Sequence, residues 1–258
     1  MLDICVAGAT GWTGSAVVRG VLDADDLALR SAVARSAAGG DVGGTPVFRS
    51  VREALDGVDV LIDYTSHLVV KENVLTAVER GVAVVVGTSG LSADDYAEID
   101  AAARSHGVGV VAAGNFSLTA AMAQAAALLA ARHLPHWEII DYASATKPDV
   151  PSGTSRELAE RLAEVRRPVG GHPLEETSGP REARGATVGG AQVHSVRLPS
   201  FVVSTEVVFG LPDERLSIRH DAGGSPTPYV AGTLLAARAA PERVGLTRGL
   251  DTLLLQSD

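Results

Sequence analysis

The sequence predicts an α/β protein with a doubly wound parallel sheet and a smaller α+β domain that carries a mixed sheet. Apolar runs alternate with helical patterns through the first part of the chain, and this order is typical of a parallel sheet with helices on both faces. A glycine-rich turn joins the first apolar run to the first helical pattern. Further along, three strand-like runs follow one another without a long helix between them, which indicates a mostly antiparallel or mixed sheet.

The first part of the chain contains a regular succession of strands and helices. The apolar and β-branched runs that predict strands are residues 2–7, 27–34, 58–64, 82–86 and 107–113. The patterns that predict helices are residues 11–22, 68–81 and 92–106. Gly81 suits a helix C-cap, and Ser92 with Asp95 three residues later resembles a capping box.

The second part of the chain has a different organisation. Its predicted elements are a helix over 118–134, a strand over 137–143, a helix over 155–166, an extended loop over 168–190, strands over 193–198, 204–209 and 215–220, and a last helix over 227–240. We therefore expect two domains. A dinucleotide-binding domain would comprise residues 1–116 and 222–258, and a substrate-binding and oligomerisation domain would comprise residues 117–221.

The composition limits the classes of partner. The chain has 258 residues, of which 46% are apolar and 21% are charged, and this length allows one large domain or two modest ones. Lys and Arg number 22 against 31 Asp and Glu, giving a net charge of −9. This acidity argues against a nucleic acid or an anionic membrane as the main partner. It remains compatible with a small anionic ligand, because a pocket can be basic on an acidic protein.

Several residue types indicate a cytoplasmic protein without a membrane span or a metal site. Cys5 is the single cysteine and lies in an apolar run, which favours a buried, inert thiol. The N-terminus lacks the basic segment and apolar core of a secretory signal. The Ala-rich stretch 120–131 is shorter than the ~18–20 apolar residues that a span needs. The seven histidines are scattered, without metal-ligand spacing.

The glycine-rich turn predicts a dinucleotide site. Residues 8–14 read Gly-Ala-Thr-Gly-Trp-Thr-Gly and lie between a strand and a helix, a variant of the dinucleotide fingerprint. Glycine permits a tight turn and a close approach of the backbone to a pyrophosphate, and the helix N-terminus offers free N–H groups. The candidate contacts in this turn are Gly8, Thr10, Gly11, Trp12, Thr13 and Gly14. The alternative is a plain strand–turn–helix with incidental glycines.

The end of the second strand indicates which dinucleotide is bound. An NAD-specific enzyme usually has an acidic residue there for the ribose 2′-hydroxyl, whereas this chain has Arg35 and Ser36. Arg35 can pair with a 2′-phosphate and Ser36 can donate a hydrogen bond to it. We therefore expect NADPH, with NADH possible; the alternative is a solvated surface arginine. Tyr64 and Thr65, at the end of the strand over 58–64, are further candidate cofactor contacts.

Two later segments carry small residues and charge. Gly87 and Thr88 follow a buried strand, where a turn without bulky side chains lets a nicotinamide approach the backbone. Residues 147–154 read Lys-Pro-Asp-Val-Pro-Ser-Gly-Thr before a predicted helix. There Ser152, Gly153 and Thr154 can cradle an anion, and Lys147 adds a positive charge. The alternative is a capped helix start with a surface lysine.

Together these segments resemble the 4-hydroxy-tetrahydrodipicolinate reductase (dihydrodipicolinate reductase) family of the diaminopimelate–lysine pathway. The motifs that carry the resemblance, in the order of the family, are residues 8–14, 87–90, 115–117, 147–154 and 195–197. The resemblance implies a Rossmann-type domain completed by the C-terminal helix and a substrate domain that builds a homotetramer. It also implies hydride transfer from NADPH or NADH to a cyclic unsaturated imine dicarboxylate.

The resemblance extends to individual residues. It implies that Lys147, Ser152, Gly153 and Thr154 contact the substrate, and that Thr88, Asn115 and Phe116 lie on the nicotinamide side of the cofactor.

One position departs from the family pattern. The family has two histidines shortly before the lysine, the first a proposed proton donor, and this chain has Ala143 and Ser144 there. Losing a positioned acid typically costs about 10²–10⁴-fold in rate. Three explanations are open: a slow reductase that takes its proton from water, Lys147 or Tyr142; a paralogue that reduces a different C=N substrate; or a non-catalytic NADPH-binding sensor. Tyr142 could face away, since strand side chains alternate.

Two weaker alternatives come from the same residues. His194 is another candidate donor, although a partly buried strand histidine is the commoner situation. A short-chain reductase or epimerase would need a Tyr-x-x-x-Lys pair on a helix, whereas Tyr142 and Lys147 are five residues apart on a predicted strand and loop.

Overall fold

The computed structural model describes residues 1–255 and divides into two compact units. The first unit comprises residues 1–118 together with the chain from Pro226 onward, and the second comprises Thr119–Ser225. The boundaries expected from the sequence, after residue 116 and before residue 222, fall a few residues earlier.

The described residues form thirteen strands and eight α-helices. The strands are β1 (Leu2–Ala7), β2 (Leu27–Val33), β3 (Asp41–Val42), β4 (Thr45–Phe48), β5 (Val60–Asp63), β6 (Ala83–Val86), β7 (Gly109–Ala112), β8 (Trp137–Ala143), β9 (Ala186–Val188), β10 (Ala191–Arg197), β11 (Val203–Leu211), β12 (Glu214–Asp221) and β13 (Gly245–Arg248). The helices are α1 (Trp12–Leu22), α2 (Val51–Ala54), α3 (Val70–Glu79), α4 (Ala93–His106), α5 (Leu118–Ala131), α6 (Gly153–Val165), α7 (Thr227–Ala239) and α8 (Leu250–Leu254).

The first unit is built on an eight-stranded sheet in the order β13-β7-β6-β5-β1-β2-β4-β3. All neighbouring strands are parallel except β3 and β4, so the predicted doubly wound sheet is confirmed. The chain runs outward from β1 to β2 and β4, then returns to β5 on the other side of β1. The carboxyl ends of β1 and β5 therefore form a topological switch point, where open α/β sheets bind their ligands.

Burial explains why these segments form a parallel sheet. Every residue of β5, β6 and β7 is buried, as expected for strands that helices cover on both faces. Cys5 of β1 is among the buried residues, and burial raises the pKa of its thiol to about 12, which keeps it protonated and inert. The predicted capping box of Ser92 and Asp95 is present at the start of α4, and Gly107 ends that helix in the left-handed conformation.

The sequence analysis missed several short elements of the first unit. It assigned nothing between residues 34 and 58, where the structure has β3, β4 and α2, and nothing after residue 240, where it has β13 and α8. Each of these elements has only two to five residues, too few for a helical or alternating period to emerge. The outer edges of the sheet were therefore missing from the prediction.

The second unit has a five-stranded sheet in the order β12-β11-β8-β10-β9. β8 and β10 are parallel and the other pairs are antiparallel, so the predicted mixed sheet is confirmed. One face packs against α5 and α6 in a core that includes Ala127, Trp137, Ile139, Leu162 and Phe209. The predicted extended loop over 168–190 contains two short 3₁₀ turns and β9. Within residues 1–255, no helix is long and apolar enough to cross a membrane.

Candidate active site

The turn after β1 can be made only by glycine. Gly8 has a φ of +83°, and a Cβ built on it would lie 2.2 Å from the carbonyl oxygen of Tyr64. A Cβ on Gly14 would lie 2.0 Å from the carbonyl oxygen of Gly8. Side chains at these positions would clash with backbone, so the two glycines allow β1, α1 and the end of β5 to approach closely.

The start of α1 is suited to an anion. Gly11 is the N-cap, with extended backbone and no side chain to satisfy the first N–H groups, and the first turn has no acidic residue. Such an end leaves N–H groups and a partial positive charge for a ligand. This α1 terminus therefore fits the pyrophosphate of a dinucleotide on structural grounds.

A cavity of about 590 Å³ opens beside this turn in the first unit. Its volume lies in the range of small-molecule sites, roughly 300–1,000 Å³. It is lined by seven of the predicted cofactor residues: Gly8, Thr10, Gly11, Arg35, Ser36, Tyr64 and Thr65. Trp12 is 52% exposed and makes an edge contact with Tyr229, with the ring centroids 6.0 Å apart.

Asp63, which the sequence analysis did not single out, organises the polar edge of this region. It is fully buried and accepts hydrogen bonds at Oδ1 from the backbone N–H of Thr65 at 3.0 Å, the Thr65 hydroxyl at 2.7 Å and the Thr88 hydroxyl at 2.7 Å. Asn73 Nδ2 donates to Oδ2 at 2.8 Å. An aspartate that ends an apolar strand is the signal that could have revealed it. Asp63 thus fixes Thr65 and Thr88, two predicted cofactor contacts.

Two of the three predicted aromatic contacts, Tyr64 and Phe116, also have structural roles. The Tyr64 ring lies over Gly87, where a Cβ would be 2.2 Å from Tyr64 Cε1, and its hydroxyl is 2.7 Å from Thr233 Oγ1. Burial raises the pKa of Tyr64. Phe116 is only 2% exposed and packs edge-on against Tyr64. Asn115 Oδ1 accepts a hydrogen bond from the Ser117 N–H at 2.8 Å, so this segment is held as a rigid turn.

In the second unit, a buried carboxylate holds the segment between Lys147 and Thr154. Asp141 is fully buried and accepts from the Ser152 N–H at 3.0 Å and the Ser152 hydroxyl at 2.6 Å. Burial by itself raises the pKa of Asp141, but hydrogen bonds from Ser152 and Arg197 outweigh it and the net pKa is lowered. The Ser152 side chain is 1% exposed and is therefore committed to Asp141.

Three more donors complete this arrangement. The hydroxyls of Ser155 and Ser195 donate to Asp141 at 3.0 Å each, and Arg197 Nη2 donates at 2.8 Å. The same Arg197 nitrogen also donates to the carbonyl oxygen of Asp149 at 2.8 Å. Lys147 Nζ forms an ion pair with Asp149 Oδ1 at 2.9 Å and is 26% exposed. Asp141 and Arg197 thus hold this loop in place, while Lys147 and the start of α6 stay partly exposed.

The structure corrects two candidate proton donors. Along β8, Asp141 and Ala143 are buried toward the helices, whereas Tyr142 points to the opposite face. The Tyr142 hydroxyl donates to Glu206 Oε2 at 3.1 Å. His194 pairs in register with Ile140, also on that opposite face, and its Nε2 lies 2.7 Å from Glu138 Oε2. Because both side chains point away from the Lys147 loop, neither is placed to act there.

The positions of the family histidines offer no strong acid. Ala143 is fully buried, and the Ser144 hydroxyl lies 3.1 Å from the Thr146 hydroxyl. His220, a histidine that was not predicted from the sequence, lines a small cavity together with Thr154. Burial lowers the pKa of His220 against an opposing effect of Asp221, and His220 Nε2 lies 3.1 Å from Thr119 Oγ1.

Comparison with known proteins tests the family prediction. Two family profiles match the chain: "Dihydrodipicolinate reductase, N-terminus" over residues 2–116 and "Dihydrodipicolinate reductase, C-terminus" over residues 114–254. Curated relatives named 4-hydroxy-tetrahydrodipicolinate reductase match along the full chain. The one from Moorella thermoacetica is 38% identical and covers 98% of both chains. The one from Thermosynechococcus vestitus is 37% identical and covers 98% of this chain and 97% of the relative.

Solved structures give the same result. A dihydrodipicolinate reductase from Paenisporosarcina sp. TG-14 with dipicolinate bound has a TM-score of 0.78 at 27% identity, covering 98% of this chain and 99% of that one. GenD2 from gentamicin A biosynthesis, solved with NAD, has a TM-score of 0.66 at 15% identity, covering 98% and 90%; it shares the fold. These matches confirm the predicted family: the chain belongs to the dihydrodipicolinate reductase family and is a pyridine nucleotide-dependent reductase.

Proposed function

We propose that the chain reduces 4-hydroxy-tetrahydrodipicolinate, a cyclic imine dicarboxylate, with NADPH as the hydride donor. The relatives that match over the full chain carry this activity in their names, and a solved relative holds dipicolinate, a similar ring with two carboxylates. The observation that carries the proposal is the anchored loop between Lys147 and Thr154, which combines a partly exposed cation with the start of a helix.

The loop supports binding of a substrate carboxylate. Gly153 and Thr154 are the first residues of α6, a helix of 13 residues, where N–H groups favour an anion. Lys147 adds a full positive charge beside them and would exchange its contact with Asp149 for the substrate. The hydroxyl of Ser152 already donates to Asp141. Ser152 would therefore act on substrate binding indirectly, by holding Gly153 and Thr154 in position.

The first unit would hold the nucleotide. When bound, the reduced nicotinamide supplies a hydride. The N–H groups at the start of α1 would bind the pyrophosphate, and Arg35 with Ser36 would bind a 2′-phosphate. Both residues line the same cavity as the glycine turn, and the absence of an acidic residue at the end of β2 favours NADPH over NADH.

The proton must come from a group other than a histidine at position 143. Loss of the 4-hydroxyl group and a neighbouring ring proton as water gives a conjugated C=C–C=N system. Hydride addition at the carbon end of this system then requires a proton elsewhere in the same system. Tyr142 and His194 point away from the loop, which leaves the Lys147 ammonium and water. We therefore infer that Lys147 both holds the carboxylate and protonates the substrate directly or through water.

Oxidation of NADPH with enzymatically generated 4-hydroxy-tetrahydrodipicolinate tests this proposal. We expect turnover of roughly 1–10³ s⁻¹, the usual range for enzymes. Lys147→Ala should lower kcat/KM by at least about 100-fold, because it removes both a charge-assisted contact and the positioned acid. The chain has one other lysine, Lys71, which pairs with Asp95 and Glu98, so Lys71→Ala is the matched control. Equal activity of the two variants would contradict the role of Lys147.

Ala143 favours a second candidate function, the reduction of a different C=N substrate. A simple imine needs its proton at nitrogen rather than at a ring carbon, which removes the demand that a histidine at position 143 would meet. Turnover of other cyclic or linear imine carboxylates, with negligible reduction of 4-hydroxy-tetrahydrodipicolinate, would select this function. NADPH binding without reduction of any imine would instead indicate a sensor.

We also propose a homotetramer built by the second unit, as the family resemblance implies. The face of its sheet opposite α5 and α6 carries Ile140, Tyr142 and Val208, which are only partly buried, and a cavity of about 660 Å³ lies on it. An apolar sheet face of this kind is suited to pairing with a second copy.

A further inference from the structure

The edge of the first sheet brings together two chain segments that are distant in sequence. β2 and β4 are parallel neighbours, with Val33 beside Phe48, and the Ala34 N–H donates to the Phe48 carbonyl at 3.1 Å. Because the two parallel strands end next to each other at the carboxyl end of the sheet, the residues that follow them lie side by side. These residues are Arg35 after β2 and Arg49 after β4.

Three arginines line the cavity beside the glycine turn. Arg35, Arg49 and Arg52 all line this cavity, and Glu72 is the acidic residue among the lining side chains. All three arginines are exposed. Within residues 1–255, none of the three guanidinium groups is paired with a carboxylate. The cavity thus holds an excess of positive charge on a protein whose net charge is −9.

The excess matches the charge of a phosphate monoester. Such a group carries about −1.5 to −2 charges at neutral pH and has three acceptor oxygens, so a single arginine leaves it partly uncompensated. Two or three guanidinium groups can neutralise it and donate in pairs to its oxygens. A ribose 2′-hydroxyl, by contrast, is neutral and gains little from additional arginines.

We propose that Arg49 and Arg52 complete, with Arg35, the subsite for the 2′-phosphate of NADPH and so determine the preference for NADPH over NADH. The inference rests on the proposed cofactor. The sequence alone pointed to Arg35 and Ser36, because β4 and α2 are too short to be predicted and their arginines then look like surface charge.

Calorimetric titration of the full chain with adenosine 2′,5′-bisphosphate and with AMP tests the subsite without any turnover. Wild type should bind the bisphosphate more tightly than AMP at low ionic strength, where such contacts are least screened. Arg49→Ala and Arg52→Ala should each weaken bisphosphate binding roughly tenfold, and the double variant about a hundredfold. AMP binding should stay unchanged. Arg49→Lys, which keeps the charge but loses the paired donors, should fall between wild type and Arg49→Ala.

Arg30→Ala is the matched control. Arg30 is an exposed arginine of β2 that is outside the lining of the cavity, so its removal changes net charge alone and should leave both affinities as in wild type. The proposal is overturned if the double variant keeps wild-type affinity for the bisphosphate, or if it loses affinity for the bisphosphate and AMP equally. A bisphosphate-selective loss in a protein that reduces no imine would contradict the proposed function and leave the subsite intact. If the double variant still reduces the imine and its preference for NADPH is unaltered, the proposed subsite is contradicted and the proposed function stands.

Discussion

At the scale of single residues, the second unit depends on a row of buried polar side chains that hold the segment between Lys147 and Thr154. Thr205 of β11 lies beside Asp141 on one neighbouring strand and beside His220 on the other, and Ser155 Oγ is 2.9 Å from Thr205 Oγ1. Such buried polar groups are favourable only when each has its partners. The geometry of this segment therefore depends on these buried polar groups.

Asp141→Asn tests this dependence. Removing one partner of a buried ion pair leaves the other uncompensated, which typically costs about 3–5 kcal/mol. We expect the free energy of unfolding of the second unit to fall by about that amount, measured by urea denaturation followed through Trp137 fluorescence in a Trp12→Phe background. Asp213→Asn is the control: Asp213 is exposed in a turn with a φ of 63°, which Asn tolerates. Equal stability of the two variants would show that Asp141 is not the anchor.

His220 predicts a pH dependence of stability. Burial lowers its pKa, so the unfolded chain, with a pKa of about 6.5, binds the proton more readily. The contribution of neutral His220 is therefore complete above pH ~6.5 and is lost as the pH falls toward the folded pKa. His220→Gln should lose less stability than wild type between pH 7.5 and pH 5.5, measured by urea midpoints. The same loss in both proteins would contradict this assignment.

At the scale of elements, the length of a segment decided whether the sequence predicted it. Long apolar runs such as β1, β8 and α1 were predicted to within a residue, because their period is repeated several times. β4 and α2 have four residues each, and their existence follows from the pairing of β4 with β2 rather than from local pattern. Arg49 and Arg52 were missed with them. For the donor candidates Tyr142 and His194, the sequence left the orientation of the side chain open, because only strand register reveals which face a side chain takes.

Gly14→Ala tests the close-packed junction between β1 and α1. The added Cβ would lie 2.0 Å from the Gly8 carbonyl oxygen, and backbone on both sides must move to relieve the clash. We expect NADPH affinity to fall by at least tenfold, measured by calorimetric titration, because the first N–H groups of α1 shift with the turn; overpacking of this kind costs typically about 1–3 kcal/mol. Gly223→Ala, where no atom lies within 4 Å of the new Cβ, should bind NADPH as wild type does. Wild-type affinity in Gly14→Ala would refute the close-packed turn.

At the scale of the whole molecule, the two faces of the second sheet have different roles. One face packs against α5 and α6. The other face carries partly buried apolar side chains and Glu138, which pairs with Arg184 and His194. The sequence showed the alternation of β8 but indicated no reason for a second face that is neither fully polar nor fully buried. The homotetramer proposed above would account for it.

Val208→Asp tests the tetramer. Val208 lies on the open face, beside Glu138 on the neighbouring strand, so a second carboxylate there would place two like charges together. Buried at an interface, an unpaired charge costs several kcal/mol, and the cost recurs in every subunit that a symmetric assembly contains. We expect wild type to sediment as a tetramer in analytical ultracentrifugation and Val208→Asp to sediment as smaller species. Val244→Asp, at an exposed position of the first unit, adds the same charge and should stay tetrameric. A monomeric wild type, or a tetrameric Val208→Asp, would show that this face is not where the subunits meet.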